Sequence, residues 1–217
     1  MSQVLDWGTA GTANQGYSSG TTHGALLDKS GSTVVMDFFA KCVLDGLGYQ
    51  LRAGTISVPL VGDVVITDTA AEYAVDPGSG KVIIPVYQNI TTNLGTGTLF
   101  EYATKSVATA SSAGAAFVLL PMNAEAGSSA AVSTACVAAA GGVTVTAELA
   151  TSTRVHWTAG QPIAMGAYVI EGVWAPLRPP RIGNGYSLYT QIAAAGTGPS
   201  YYALLDVLEL GVDQTGG

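Results

Sequence analysis

The chain is short of charge. Asp, Glu, Lys and Arg make up 11% of its residues, where free soluble domains carry roughly 25%. Cations are the scarcer sign: none lies between Lys105 and Arg154, and Glu125 and Glu148 are the only acids in that interval. The eight Lys and Arg are scattered from Lys29 to Arg181, and the formal net charge is −7. Phosphate backbones are held by clustered cations, so no nucleic-acid partner is expected.

Cysteine and histidine are short as well. Cys42 and Cys136 sit in apolar company, and they read as buried free thiols of a chain made in a reducing cytoplasm. His23 and His156 are far apart, and no Cys or His cluster has metal-ligand spacing, so no metal or other cofactor is expected. No apolar run approaches the roughly 20 residues that span a bilayer. The opening Met1-Ser2-Gln3-Val4-Leu5-Asp6-Trp7 has neither the basic nor the apolar region of a signal peptide. Neither a membrane partner nor secretion is expected.

What is present is small and apolar. Hydrophobic residues reach 48% and glycines number 28, with Ser, Thr and Ala filling the charge-poor stretches. Small side chains cost little entropy to immobilise, so such a surface packs well against another. The composition is that of a subunit, with Ser106 to Ala147 the stretch expected at subunit contacts.

Length allows one large β domain or two small ones, with room for a real core. Residues 1–25 show no periodicity and no Lys or Arg, which predicts an extended N-terminal arm. Trp7 and Tyr17 are its candidate assembly contacts. Residues 26–217 are expected to form a single β-sandwich domain. Ser32–Leu47 is the one helical stretch: Val35, Phe38, Phe39, Cys42 and Val43 recur at helical spacing, Ser32 can cap it and Gly46 and Gly48 can end it, with a strand pair through Val34-Val35 and Phe38-Phe39 as the alternative.

From Gln50 onward the pattern is strands and turns. Expected strands include Thr55–Val58, Val64–Thr67, Lys81–Tyr87, Gly97–Ala103, Ala115–Leu120, Ala130–Ala138 and Val143–Glu148. Thr153–Trp157, Ala167–Trp174, Tyr186–Ala193 and Tyr201–Leu210 follow. About ten short strands separated by turn signals predict an antiparallel sandwich.

Apparent catalytic motifs dissolve on inspection. Gly78-Ser79-Gly80-Lys81 lacks the earlier glycine and the Ser or Thr after lysine of a phosphate loop; Val75 and Val82 stand there, and the segment reads as a hairpin turn. No Gly-x-Ser-x-Gly elbow exists to present a serine to His156, which reads as a packed or surface histidine. Acids are too sparse in the β region to suggest a glycosidase pair. The late aromatics are more informative. Trp174, Tyr186, Tyr189 and Tyr201 are candidate interface residues, or alternatively a platform for stacking sugar rings.

The order of motifs resembles a group of tailed-phage virion proteins. Met36-Asp37-Phe38-Phe39-Ala40-Lys41 is similar to a short helix-like stretch that follows the opening segment of those chains. Pro77 to Ile84 is similar to their Pro-Gly-Ser-Gly-Lys turn and buried strand. Glu171-Gly172-Val173, Pro176 to Pro180, Gly185 to Tyr189, Gly196-Thr197-Gly198 and Tyr201 to Glu209 follow in the same order. Arg178 to Asn184 departs from the family, as a longer turn than its usual Pro-Pro-Gly. The resemblance implies a jelly-roll capsid-associated protein, often trimeric and without catalysis. The expected function is a non-enzymatic virion component (decoration, minor capsid or head-fibre protein) made in the host cytoplasm. Its partners would be further copies, as a homotrimer, and a major capsid or other virion protein. The alternative is a receptor- or glycan-binding fibre head that uses the late aromatics, with a glycan receptor as partner.

Overall fold

A computed structural model of the chain describes residues 37–67, 69–94, 99–125, 128–138, 142–149, 151–161 and 168–215. The arm 1–25, with Trp7 and Tyr17, lies outside these residues, as does the start of the domain expected from residue 26. The elements are α1 (Phe38–Leu44), β1 (Gly48–Ala53), β2 (Leu60–Val61), β3 (Ala70–Ala71), β4 (Tyr73–Asp76), β5 (Lys81–Leu94), β6 (Phe100–Val107), β7 (Ser112–Ala113) and β8 (Ala115–Phe117). Then come β9 (Leu120–Pro121), β10 (Thr134–Val137), β11 (Val143–Thr144), β12 (Arg154–Gln161), β13 (Tyr168–Trp174), β14 (Ile182–Gly183), β15 (Ser187–Ala194) and β16 (Ser200–Gly211).

The named strands pair antiparallel throughout, in two large sheets and a small one. The seven-stranded sheet runs β13-β5-β16-β1-β9, with β14 added on β5 and β2 on β16. The six-stranded sheet runs β12-β6-β15-β4-β10-β8, and β3-β11-β7 form the third. The chain is an all-β antiparallel sandwich, as the strand-and-turn pattern predicts, with one short α-helix among the described residues. Sequence neighbours β4 and β5, β5 and β6, β14 and β15, and β15 and β16 sit in opposite large sheets. This repeated crossing is the habit of jelly-roll-like sandwiches.

The inward-facing positions follow the period of two, with one change of phase at the β5 bulge beside Val86. Leu51, Ile83, Ile90, Tyr201, Leu205 and Val207 of the seven-stranded sheet pack onto Tyr73, Val75, Tyr102, Leu188 and Ile192 of the six-stranded one. The core also holds a polar tie. Gln88 of β5 is fully buried and donates across the sandwich to Tyr73 Oη at 2.8 Å, Thr104 Oγ1 at 3.0 Å and Thr190 Oγ1 at 3.3 Å. A second cluster lies on the far face of the six-stranded sheet, where Val143 and Val145 cover Ala71, Ala74, Val107 and Tyr189. Part of the charge-poor stretch 106–147 is therefore spent on packing within its own chain.

Four expectations need correction. Helix α1 begins at Phe38: Asp37 has extended backbone and its carboxylate accepts from Ala40 N at 2.9 Å, so the cap is Asp37 and not Ser32. Thr55–Val58 is no strand but a tight turn, closed by Thr55 N to Val58 O at 2.9 Å and Val58 N to Thr55 O at 3.2 Å. Val64–Thr67 is no strand either: the chain bridges β15 at Asp63, just before the segment, and Thr67 O accepts from the Gln191 side chain, with no ladder formed between them. β-Branched residues favour strands only where a partner edge is on offer. Pro77–Gly80 is a turn but not a hairpin, because it carries the chain from β4 in one sheet to β5 in the other. A Cβ on Gly78 would stand 2.7 Å from Val132 O, so this corner needs glycine for the close approach.

Candidate functional site

The late aromatics do not form a platform. Tyr201 and Tyr189 are wholly buried and Trp174 nearly so; of the four candidates only Tyr186 is exposed. Tyr201 points into the core, where its hydroxyl donates to the Glu72 carbonyl at 3.4 Å. Tyr189 donates to the Glu148 carboxylate at 3.2 Å, which also pairs with Lys105. Trp174 stacks on His156 with centroids 6.5 Å apart. These three rings serve the chain's own packing.

His156 Nε2 lies 2.9 Å from Ser106 Oγ, the spacing of a nucleophile and its base. Ser106 is 3% exposed, which closes it to a substrate. Among the described residues no carboxylate bonds the other ring nitrogen to orient it. Burial, aided by Arg154, lowers the His156 pKa, so the ring is neutral near pH 7. The pair is a packed hydrogen bond.

The surface that remains open is the outer face of the seven-stranded sheet, and the chain treats its two halves differently. On one half, Val82, Ile84, Val86, Leu208 and Leu210 lie under Phe39 and Cys42 of α1. At the border Gln50 donates to Asp206 at 2.9 Å, and burial raises the Asp206 pKa. Beyond that border no helix lies over the sheet among the described residues. Pairing registers place Glu171 beside Thr91 and Thr91 beside Tyr202 in one row, and Asn89 beside Leu204 and Leu204 beside Arg52 in the next. Arg52, Tyr87, Asn89, Thr91, Glu171 and Tyr202 line a groove of about 410 Å³, walled by the Gly54–Ile56 turn. Asn89 Nδ2 donates to the Glu171 carboxylate and lies 3.4 Å from Tyr87 Oη, while its Oδ1 accepts from Thr91 at 3.3 Å.

Compared with known proteins, the chain matches no family model, no curated protein and no solved structure. Function has to be read from its own residues. Among the described residues no three His, Cys, Asp or Glu side chains group as a metal site, and no helix is long and apolar enough to cross a membrane. Cys42 is buried and Cys136 half-buried, both as free thiols.

A second opening is apolar. Val64, Val65, Leu99, Phe100 and Ala193 line a cleft of about 600 Å³. It adjoins the segment 54–66, where Ile56 is 79% exposed, Val58 68%, Val61 65%, Val64 55% and Val65 59%.

One groove residue was within reach of the sequence. Leu205 and Val207 set the phase of β16, and strict alternation then turns Tyr201 inward and Tyr202 outward. Arg52, Tyr87, Asn89 and Glu171 carried no local signal, because only the pairing of β1, β5, β13 and β16 brings them together.

Proposed function

We propose that the chain is a non-enzymatic structural component of a virus particle, a capsid decoration, minor capsid or head-fibre protein. In this reading it is made in the host cytoplasm, associates with itself as a homotrimer and docks on a major capsid or other virion protein. The observation that carries the proposal is the segment 56–65, which exposes Ile56, Val58, Val61, Val64 and Val65 and whose last two residues line a largely apolar cleft. Exposed apolar patches of this kind mark interaction surfaces. Burying a fully exposed Val or Ile contributes about 1.5–3 kcal/mol, and association costs an estimated 4–15 kcal/mol. Five partly exposed residues give a weak single contact, which a lattice of copies makes strong through avidity. The scarcity of charge and the motif order of tailed-phage virion proteins support the same reading.

The test is sedimentation of the purified protein, with its location on the particle read by electron microscopy. Trimers and particle density are expected, and Val64→Asp with Val65→Asp should reduce both while leaving the thermal unfolding midpoint within a few degrees. A stable monomer at micromolar concentration that joins no particle would sink the proposal. A second reading, a receptor- or glycan-binding fibre head, draws on the groove around Tyr87 and Tyr202 in place of the buried late aromatics.

A further inference from the structure

We infer that the groove on the open half of the seven-stranded sheet is a binding site for an oligosaccharide. The inference deepens the second reading and is independent of the assembly proposal, since a particle subunit without sugar affinity would still assemble.

The chemistry of the lining selects the ligand class. The covered half of the same face is Ile, Val and Leu, the side chains an apolar helix packs against. The open half presents two tyrosines, a carboxylate, an amide, a hydroxyl and a guanidinium, with Ile56 and Leu204 as its apolar members. Small-molecule sites combine aromatic lining with a few placed polar groups. A single cation in a groove that also holds an acid gives no reason to bind phosphate, and a single carboxylate cannot hold a metal ion. A polyhydroxylated ring has what this surface asks for: C–H faces for Tyr87 and Tyr202, and hydroxyls that donate to Glu171 and accept from Arg52.

The acceptor is also held in place. Asn89 donates to Glu171, and Asn89 is in turn held by the Thr91 hydroxyl. A carboxylate fixed before binding spends little entropy on taking a sugar hydroxyl, and hydrogen bonds to a charged acceptor are roughly twice as strong as neutral ones. Arg52 has no carboxylate partner among the described residues. Glu171 and Arg52 stand on strands separated by three sheet spacings, or about 14 Å, which admits more than one ring.

The experiment is an array of immobilised bacterial and animal oligosaccharides probed with the intact protein, with each hit measured by calorimetry as the free oligosaccharide. Micromolar binding is expected. Glu171→Gln and Arg52→Ala should each weaken it at least tenfold and Tyr202→Ala should abolish it, while Tyr186→Ala, an exposed tyrosine outside the groove, should leave it unchanged. Unfolding curves establish that each variant is folded. No hit on the array, or hits held equally by Glu171→Gln and Arg52→Ala, would overturn the site. Self-association abolished by Tyr202→Ala, without sugar binding, would overturn it in favour of a second copy of the chain.

Discussion

Replacing Gln88 by Leu tests whether the polar tie holds the two sheets in place. The substitution keeps the bulk of a fully buried side chain and removes only its amide. Gln88 Nε2 has two hydrogens for three hydroxyls, those of Tyr73, Thr104 and Thr190, and its Oε1 accepts from Thr104 Oγ1 at 3.1 Å. Thr104 and Thr190 remain within 3.1 Å of each other, so both threonines keep a partner when the amide goes. Two donated bonds and one accepted bond are lost, at about 1 kcal/mol each. The added apolar burial offsets part of this, which leaves a destabilisation of about 2–3 kcal/mol. Urea unfolding followed by tryptophan fluorescence should show a lower midpoint with unchanged slope. Adding Thr104→Val should cost less than the sum of the two single changes, because replacing both partners by apolar groups removes the unmet need along with the bond. A Gln88→Leu protein as stable as the parent would refute the reasoning.

Two further outcomes are expected. Glu72 is 3% exposed, and burial raises its pKa to about 8 even though its oxygens accept from Asp63 N and Ile192 N. A carboxyl that prefers its proton when folded contributes stability that is full below its ordinary value of 4.5 and is lost as pH rises through about 8. Unfolding free energy should fall across that window by up to ~1.4 kcal/mol per pH unit; a Glu72→Gln chain with the same slope would show that another group is responsible. Gly172 is packed so that a Cβ would stand 2.6 Å from the Tyr102 ring and 3.0 Å from Trp157. Gly172→Ala should therefore cost about 1–3 kcal/mol by overpacking, and calorimetry showing an unmoved melting temperature would count against that close contact.

The fold class was legible because it rests on local grammar. Lys81–Tyr87 and Tyr201–Leu210 alternate or run apolar between turn residues, and both are central strands. The failures share a cause. Thr55–Val58 and Val64–Thr67 have strand composition but no edge to pair with, and pairing is a property of the fold rather than of a window. Gly48–Ala53 went unread as a strand because Gly48 signals a stop and Gln50 and Arg52 dilute the pattern; it forms because β16 supplies a partner for all six residues. The aromatic site failed for a related reason. Tyr189 and Tyr201 lie on strands that are central in their sheets, and each points to a face that is packed over. An aromatic is as useful inside as outside, so only the phase of its strand tells which.

The place of β16 has a consequence for how the protein is made. It joins β5 over twelve residue pairs and holds β1 on its other side, with Leu208 opposite Gly48. Until residue 211 has left the ribosome, β1 and β5 have no common neighbour and the seven-stranded sheet has a missing centre. Closure of such distant pairs is slow, and unpaired strand edges waiting beside a charge-poor surface are prone to stick to one another. Yield in the cell should therefore depend on how quickly the last strand follows β5: slower translation before Lys81 does no harm, whereas a stall between Leu94 and Ser200 leaves an open-centred sheet exposed to every other copy being synthesised.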